Sequence, residues 1–439
     1  MADQALHLIG STTIKCAKLA LFQFTMLMIG SALLVDAVNG FIMVGIGIDI
    51  KLSALFKLLL IAIVMFQIGS YSKRALGYLL LLFGIMLIGP LITFLNTTDI
   101  VGFFDDLTSG LKIISVLVII VYLQFIAQKW PDLLLKYGKA CLKFSFFVLM
   151  INIFLGVLGF GYSSYGGNDG GDDSVGIKGF FYAGNELSGI YIVLFGTMLH
   201  YAWQKSKATY FIISGVAIIS GVLIATKAAM LAGMLLVFII PILNERNRMF
   251  NLTWLKVKLL VPFLIVVAVL AITIIPILES TGLLGRFIWF YEKNGVLGIL
   301  LSGRDKFLAE TMSLYFNYAN WADVVFGFSK TGLGLFTKNA MEIDPIDMYF
   351  WHGLVGLLLF VIYCIVMLSI GFRTARLKVG HIGPAVLIIN LSLIMVSMIA
   401  GHIFTSGMLA PLLALVNGMA LCDRKYHSTA KPNPELSGV

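Results

Sequence analysis

Long apolar runs follow one another along most of this chain, joined by short polar connections, and Lys and Arg gather in every second connection. A helix that crosses a bilayer needs about 20 mostly apolar residues. Twelve such segments are predicted, at 17–37, 54–71, 75–95, 111–128, 140–160, 181–203, 209–225, 228–244, 258–277, 348–371, 383–401 and 405–422. The cations test that count. Lys73/Arg74, Lys129/Lys136/Lys139, Lys205/Lys207, Arg246/Arg248/Lys256/Lys258, Arg373/Arg376/Lys378 and Arg424/Lys425 all fall on one side if the spans alternate, and Lys15 and Lys18 agree. Basic residues are retained on the cytoplasmic side of a membrane. The pattern therefore predicts an all-α membrane protein with both termini cytoplasmic. The opposite side is acidic, with 17 of the 22 carboxylates on or near it.

Composition agrees. Apolar residues make up 59% of the 439 and charged residues 12%, against about 45–50% and about 25% in a soluble domain. A cytosolic enzyme, a nucleic-acid-binding module and a disordered chain are excluded. The net charge of +9 is then a topology signal. Cys16, Cys141, Cys364 and Cys422 show no CxxC spacing and the six His are scattered, so neither a disulfide framework nor a zinc site is expected. No cleavable signal peptide is recognised, and the first apolar segment, ending Val35-Asp36-Ala37, reads as an uncleaved anchor. Residues 1–427 read as one polytopic domain without internal repeats, and the polar tail 428–439 as disordered.

Two outer connections are long. Gly161–Gly179, rich in Gly and Asp, reads as a flexible surface loop. Residues 278–347 are too many for a structureless connection, and long loops tend to carry function. Within them, Ser302-Gly303-Arg304-Asp305 resembles a capping box with Asp in the acidic position. Phe307, Leu308, Met312 and Tyr315 then follow at helical spacing. A helix is predicted to start here, lying along the membrane, with Arg304 in its first turn. Free N–H groups and an arginine fork suit a phosphate, although an interfacial arginine also snorkels to headgroups.

Other candidates belong to the same outer side. Arg286, beside Phe287 and Trp289, is either an interface anchor or a second phosphate ligand. Lys227 sits in a very short turn between two spans, at or just inside the membrane face, where a charge is costly and often functional. Asn185 and Glu186 open a span, and Glu186 is expected to pair with Lys227 or an arginine. Glu342, Asp344 and Asp347 cluster at the mouth of the tenth span. One of them suits a general base for a hydroxyl, and a divalent cation is the other ligand such oxygens take. The acidic cluster also reads simply as a solvated loop end. His352 reads as a structural residue within the span. Together, cations for a diphosphate leaving group and a carboxylate for a proton are what transfer from a lipid-linked donor to a hydroxyl requires.

Four motifs in this order resemble the O-antigen ligase/Wzy polymerase superfamily: FYAGNELSG at 181–189, Thr226-Lys227-Ala228, SGRDKF at 302–307 with VVFGFSKTGLG at 324–334, and EIDPIDMYFWHGLVG at 342–356. The resemblance covers roughly residues 140–400. It implies an integral-membrane GT-C-like glycosyltransferase that uses an undecaprenyl-diphosphate-linked oligosaccharide and needs no cofactor or metal. The partners it implies are that lipid-linked glycan, membrane lipids and a chain-length regulator. It maps diphosphate binding to Arg304, Arg286 and Lys227, and base catalysis to Glu342 or Asp344. Many ligases carry His-Asn where this chain has Glu342-Ile343, which favours a repeat-unit polymerase of O-antigen, capsule or exopolysaccharide. A ligase, and a transporter or lipid-glycan flippase, are the competing readings. The expected location is the bacterial cytoplasmic membrane, with the site facing the periplasm or cell exterior.

Overall fold

The computed structural model describes residues 2–429 except 49, 166–174, 281–282, 302 and 378–381; side chains at 2–15, 165, 175, 247, 424–429 and several positions of 266–300 are also outside the described set. The chain is overwhelmingly helical. Its order is α1 (Ala2–Ile46), α2 (Leu52–Tyr71), α3 (Lys73–Met86), α4 (Ile88–Thr97), α5 (Ile100–Lys129), α6 (Pro131–Val157), β1 (Tyr162–Tyr165), β2 (Val175–Gly179), α7 (Gly184–Lys205), α8 (Lys207–Ile224), α9 (Lys227–Leu243), α10 (Trp254–Ser280), α11 (Leu283–Leu301), α12 (Arg304–Tyr318), α13 (Trp321–Phe326), α14 (Lys330–Gly334), α15 (Asp344–Ala375), α16 (Gly383–Ile399) and α17 (Ala410–Thr429).

Among the described residues, seven helices are long and apolar enough to cross a membrane: Cys16–Ile46, Leu52–Tyr71, Lys73–Thr97, Ile100–Lys129, Pro131–Val157, Lys207–Ile224 and Asp344–Ala375. Three shorter apolar helices join them, Lys227–Leu243, Gly383–Ile399 and Ala410–Asp423. The expectation of twelve spans is thus met in its helical, membrane-type character and only partly in its count. The segment expected at 181–203 shows why. Its helix, α7, carries Asn185, Glu186, Ser188, Thr197 and His200 and is buried along almost its whole length from Leu187 to Ala202. A helix buried on all sides is central to its bundle, and α7 packs against α6, α8, α9, α16 and α17.

Polar side chains stitch the packed helices. Tyr363 Oη donates to Ile113 O across α15 and α5 at 2.6 Å. Asn390 and Asn417 exchange amide hydrogen bonds of 2.8 and 3.1 Å between α16 and α17, and both are fully buried. Asp423 accepts from Ile382 N and Gly383 N, satisfying donors at the start of α16.

The Gly/Asp-rich connection is anchored by structure that its composition does not announce. Tyr162–Tyr165 and Val175–Gly179 form an antiparallel hairpin. Asn152 of α6 donates to Lys178 O and accepts from Phe180 N, both at 2.7 Å, and Ser164 Oγ donates to Ile224 O at the end of α8. The loop tip, with Asp169, Asp172 and Asp173, lies outside the described residues, as do 430–439 of the tail; residues 428–429, expected to be disordered, close helix α17.

Two helices are interrupted. The run 73–97 breaks at Leu87 into α3 and α4. Helix α15 is broken at His352 and Gly353, where the backbone leaves the helical region. The freed carbonyls of Phe350 and Trp351 accept from Phe328 N (2.8 Å) and Ser329 N (3.1 Å) of the loop between α13 and α14. Gly353, at φ +60°, has no room for a side chain: a Cβ would lie 2.4 Å from Val325 C. His352 Nδ1 lies 3.0 Å from Met86 O beside the other break. Non-helical backbone at membrane depth is stable only where protein satisfies it, and here the 326–329 loop does so.

Candidate functional site

The long connection holds four helices, α11 to α14, rather than the single one anticipated. Helix α12 begins at Arg304, as the spacing predicts, but its N-cap is Gly303 in the left-handed region at φ 84°, with no side-chain cap; Ser302 lies outside the described residues. A left-handed glycine reverses the chain without a Cβ penalty, and this turns Arg304 back toward the segment between α16 and α17.

There Arg304 Nη2 donates to Glu342 Oε2 at 2.7 Å, and Nη1 reaches Leu301 O and Ile399 O at 3.4 Å. Lys338 Nζ donates to the other oxygen, Glu342 Oε1, at 2.9 Å. Two cations therefore share one carboxylate, in a half-buried setting. Burial alone would raise the Glu342 carboxyl, but the hydrogen bonds and charges of Lys338 and Arg304 outweigh it and hold the group down at about 2. The Arg304 Nε is buried without a partner, so the guanidinium retains an unmet donor.

Glu342 adopts φ 61°, a conformation that non-glycine residues rarely hold. Gly401, at φ +60°, lies against it: a Cβ there would come within 2.4 Å of Glu342 C. The Glu342 backbone, in this rare conformation, is thus held against the 400–407 segment while its carboxylate meets α12.

The neighbouring carboxylates have other partners. Asp344 is fully buried. Its Oδ1 accepts from His402 N at 2.6 Å and Thr405 Oγ1 at 3.3 Å, and its Oδ2 accepts from Ile403 N and Phe404 N, both at 2.9 Å. It organises the unwound 402–405 backbone. Asp347, also fully buried, accepts from Met341 N at 2.5 Å through Oδ1, and its Oδ2 has no partner. The three carboxylates of the EIDPID motif therefore point to three separate sets of donors.

The same 400–406 backbone gathers the α7 motif. Asn185 Nδ2 donates to Ala400 O at 3.0 Å, and Glu186 accepts from Ser406 Oγ, a partner different from the Lys or Arg anticipated. Lys227 opens α9. The Thr226 hydroxyl before it accepts from Ala229 N at 3.2 Å and meets Ser188 Oγ of α7 at 2.7 Å. The motifs at 181–189 and 226–228 are therefore in contact. Arg286 is on α11, and its side chain lies outside the described residues.

An open cleft of about 550 Å³ adjoins Lys338, lined by Phe307, Glu310, Thr311, Leu314, Phe336 and Thr337 among others. Lys338 Nζ lies 5.2 Å from the Phe307 ring centroid, and Phe336 stacks on Tyr318 at 6.0 Å. Aromatic walls with interspersed hydroxyl and carboxylate groups suit a polar ligand with apolar faces.

Two elements of this candidate site escaped the sequence reading. Lys338 is one; its only signal is the i,i+4 spacing to Glu342. The other is Ile399–Gly407, which reads as two span ends but forms the polar spine that Arg304, Asn185, Glu186 and Asp344 all meet. No known protein-family model matches the chain, and no curated protein matches it in sequence.

Proposed function

We propose that this protein is a membrane glycosyltransferase that polymerises undecaprenyl-diphosphate-linked oligosaccharide repeat units of O-antigen, capsule or exopolysaccharide on the outer face of the bacterial cytoplasmic membrane. The observation that carries the reading is the clamp of Arg304 and Lys338 on Glu342. Two cations with an unmet buried donor suit a diphosphate better than a single carboxylate, because an arginine fork matches its oxygens and the added charge strengthens each bond.

The mechanism follows from exchange at that clamp. The donor diphosphate binds Arg304 and Lys338 and displaces Glu342, with Arg286 and Lys227 as the further cations that the family resemblance implies. Released from both cations but still half-buried, the carboxylate loses what holds its pKa down and becomes a competent base. Glu342 then takes the proton of the acceptor hydroxyl. The hydroxyl oxygen attacks the anomeric carbon, the bond from that carbon to the phosphate oxygen breaks, and undecaprenyl diphosphate leaves with the electron pair. Arg304 and Lys338 stabilise the charge developing on the leaving group. The aromatic cleft beside Lys338 supports the sugars. Asp344 serves by holding the 402–405 backbone in place.

Mass spectrometry of lipid-linked glycans in cells lacking the protein tests this. A single repeat accumulating on the carrier, cured by the wild type and not by Arg304→Ala, is the expected result. Accumulation of long carrier-linked chains would make the protein a ligase. A transporter or flippase is the second reading, favoured by the interrupted helices α3/α4 and α15, since transporters place binding sites at such breaks. An unchanged glycan profile would move the reading there.

A further inference from the structure

Helices α1, α2, α5 and α6 pack together, and at the end of the bundle that the charge pattern predicts to be cytoplasmic they bring cations to one place. Tyr71 closes α2, Lys129 closes α5, Pro131 opens α6, and Lys18 lies on α1. Lys18 Nζ lies 5.6 Å from the centre of the Tyr71 ring. Lys129 Nζ lies 5.5 Å from that same centre and 4.9 Å from the centre of the Trp130 ring. Lys139, Lys207 and Lys258 also sit over rings, those of Tyr201, Trp203 and Trp254, but among the described residues each of those rings takes one cation. A single lysine on a single aromatic is an ordinary interface anchor.

Two ammonium groups on one ring are different, because like charges brought together repel. Among the described residues neither Lys18 nor Lys129 belongs to an ion pair. The sequence agrees: stretches 16–35, 60–80 and 120–145 of these helices hold seven cations and one carboxylate, Asp132. The surface between the cations is aromatic and fixed from below. Tyr71 stacks on Phe125 at 5.7 Å with an interplanar angle of 14°. Phe22, fully buried, meets Trp130 at 5.8 Å and Tyr137 at 5.7 Å, and Gln23 donates to Tyr137 Oη at 2.8 Å. Tyr71 and Trp130 themselves are only half-buried.

We propose that Lys18, Lys129, Tyr71 and Trp130 form a binding site for one anionic glycerophospholipid, its phosphate held between the two ammonium groups and the start of its acyl chains lying on the two rings. The site is independent of the reading of the Arg304 clamp. Lysines hold a phosphate as point charges without a fixed fork, and the phosphate supplies the negative charge that this convergence lacks. Basic pockets between helix ends at a membrane surface select acidic lipids. Tyrosine and tryptophan rings at headgroup depth present an apolar face to the chains and a polar edge to water. A phospholipid fits better than a soluble anion because the cations stand beside an aromatic surface at the end of membrane-type helices. Bound there, it bridges α1 to the ends of α2 and α5.

The test is native mass spectrometry of the full-length, delipidated protein in detergent, titrated with dioleoyl phosphatidylglycerol, reading the dissociation constant of the first lipid bound. Lys18→Gln and Lys129→Gln should each bind it roughly fivefold more weakly, the contribution of one basic residue at an anionic headgroup, and the double variant roughly 30-fold more weakly. Should one of the single variants not accumulate, the other reads the same site. Lys129→Arg and Tyr71→Phe keep the charge and the ring and should bind as the wild type does. Lys258→Gln, which removes a lysine from a ring with one cation, should also leave binding unchanged. Wild-type affinity in Lys18→Gln and Lys129→Gln overturns the proposal. An equal loss in Lys258→Gln overturns it too, since the effect would then be one of net charge. Equal affinity for dioleoyl phosphatidylcholine would show that no anionic headgroup is recognised, and displacement of the lipid by equimolar inorganic phosphate would assign the site to the free anion; either result goes against the proposal.

Discussion

Arg304 and Glu342, 38 residues apart, are joined by a 2.7 Å ion pair whose carboxylate is shared with Lys338. The pair ties the start of α12 to the strained turn before α15. Removing either cation removes a different half of the proposed leaving-group site.

Arg304→Ala should lower the rate of polymerisation by roughly 100- to 1000-fold, the usual loss when one preorganised donor to a developing oxyanion is removed. Arg304→Lys should recover only part of it, because the fork is lost. Product ladders from membrane vesicles, with protein level measured alongside, check this; wild-type ladders from Arg304→Ala would remove the central assignment.

Glu342 sets a pH dependence of stability. Its folded-state pKa is about 2 against an ordinary 4.5. A depressed carboxylate contributes stability that is present above the ordinary value and lost as pH falls through the folded one. Melting of the purified protein should therefore lose a component between about pH 4.5 and 2, and that component should be missing in Glu342→Gln. The same substitution should abolish turnover, whereas Glu342→Asp should retain a measurable fraction of it.

Gly401→Ala should destabilise the protein and cut activity, because the alanine would need both φ +60° and space occupied by the Glu342 backbone. Positive φ at a non-glycine residue costs about 1–3 kcal/mol. Gly215→Ala, in α8 with nothing within 4 Å, is the control: an exposed helical glycine replaced by alanine should be neutral or slightly stabilising. Equal melting temperatures for the two variants would contradict the close approach.

Asp344→Ala should abolish accumulation of folded protein. It strips the acceptors from the amides of His402, Ile403 and Phe404 in a fully buried site, and a stranded buried donor costs about 1–3 kcal/mol each. Asp344→Asn should fall between wild type and Ala. Size-exclusion profiles of the solubilised variants read this out.

Polymerisation is expected to proceed in excess EDTA. Glu342, Asp344 and Asp347 each face a separate donor set instead of converging on one point. Loss of activity in EDTA, restored by magnesium or manganese, would refute this.

What the chain determined by itself was local and additive. Hydropathy over windows of about 20 residues suffices to announce apolar helices, and helical spacing after Arg304 suffices to place the start of α12. The residue types of the site were legible for the same reason: Arg304 and Glu342 are charges in an otherwise apolar chain, and their presence needs a partner. Which partner was not legible. That Glu342 closes on Arg304, that Glu186 meets Ser406, and that Asp344 serves three amides beyond position 400 depend on contacts across 38 to 220 positions, which no periodicity records. The breaks at Leu87 and His352 were hidden in apolar runs that read as continuous spans. The break at His352 persists because the 326–329 loop returns to satisfy the freed carbonyls of α15, and an unwound buried backbone is stable only when another part of the chain supplies its hydrogen bonds.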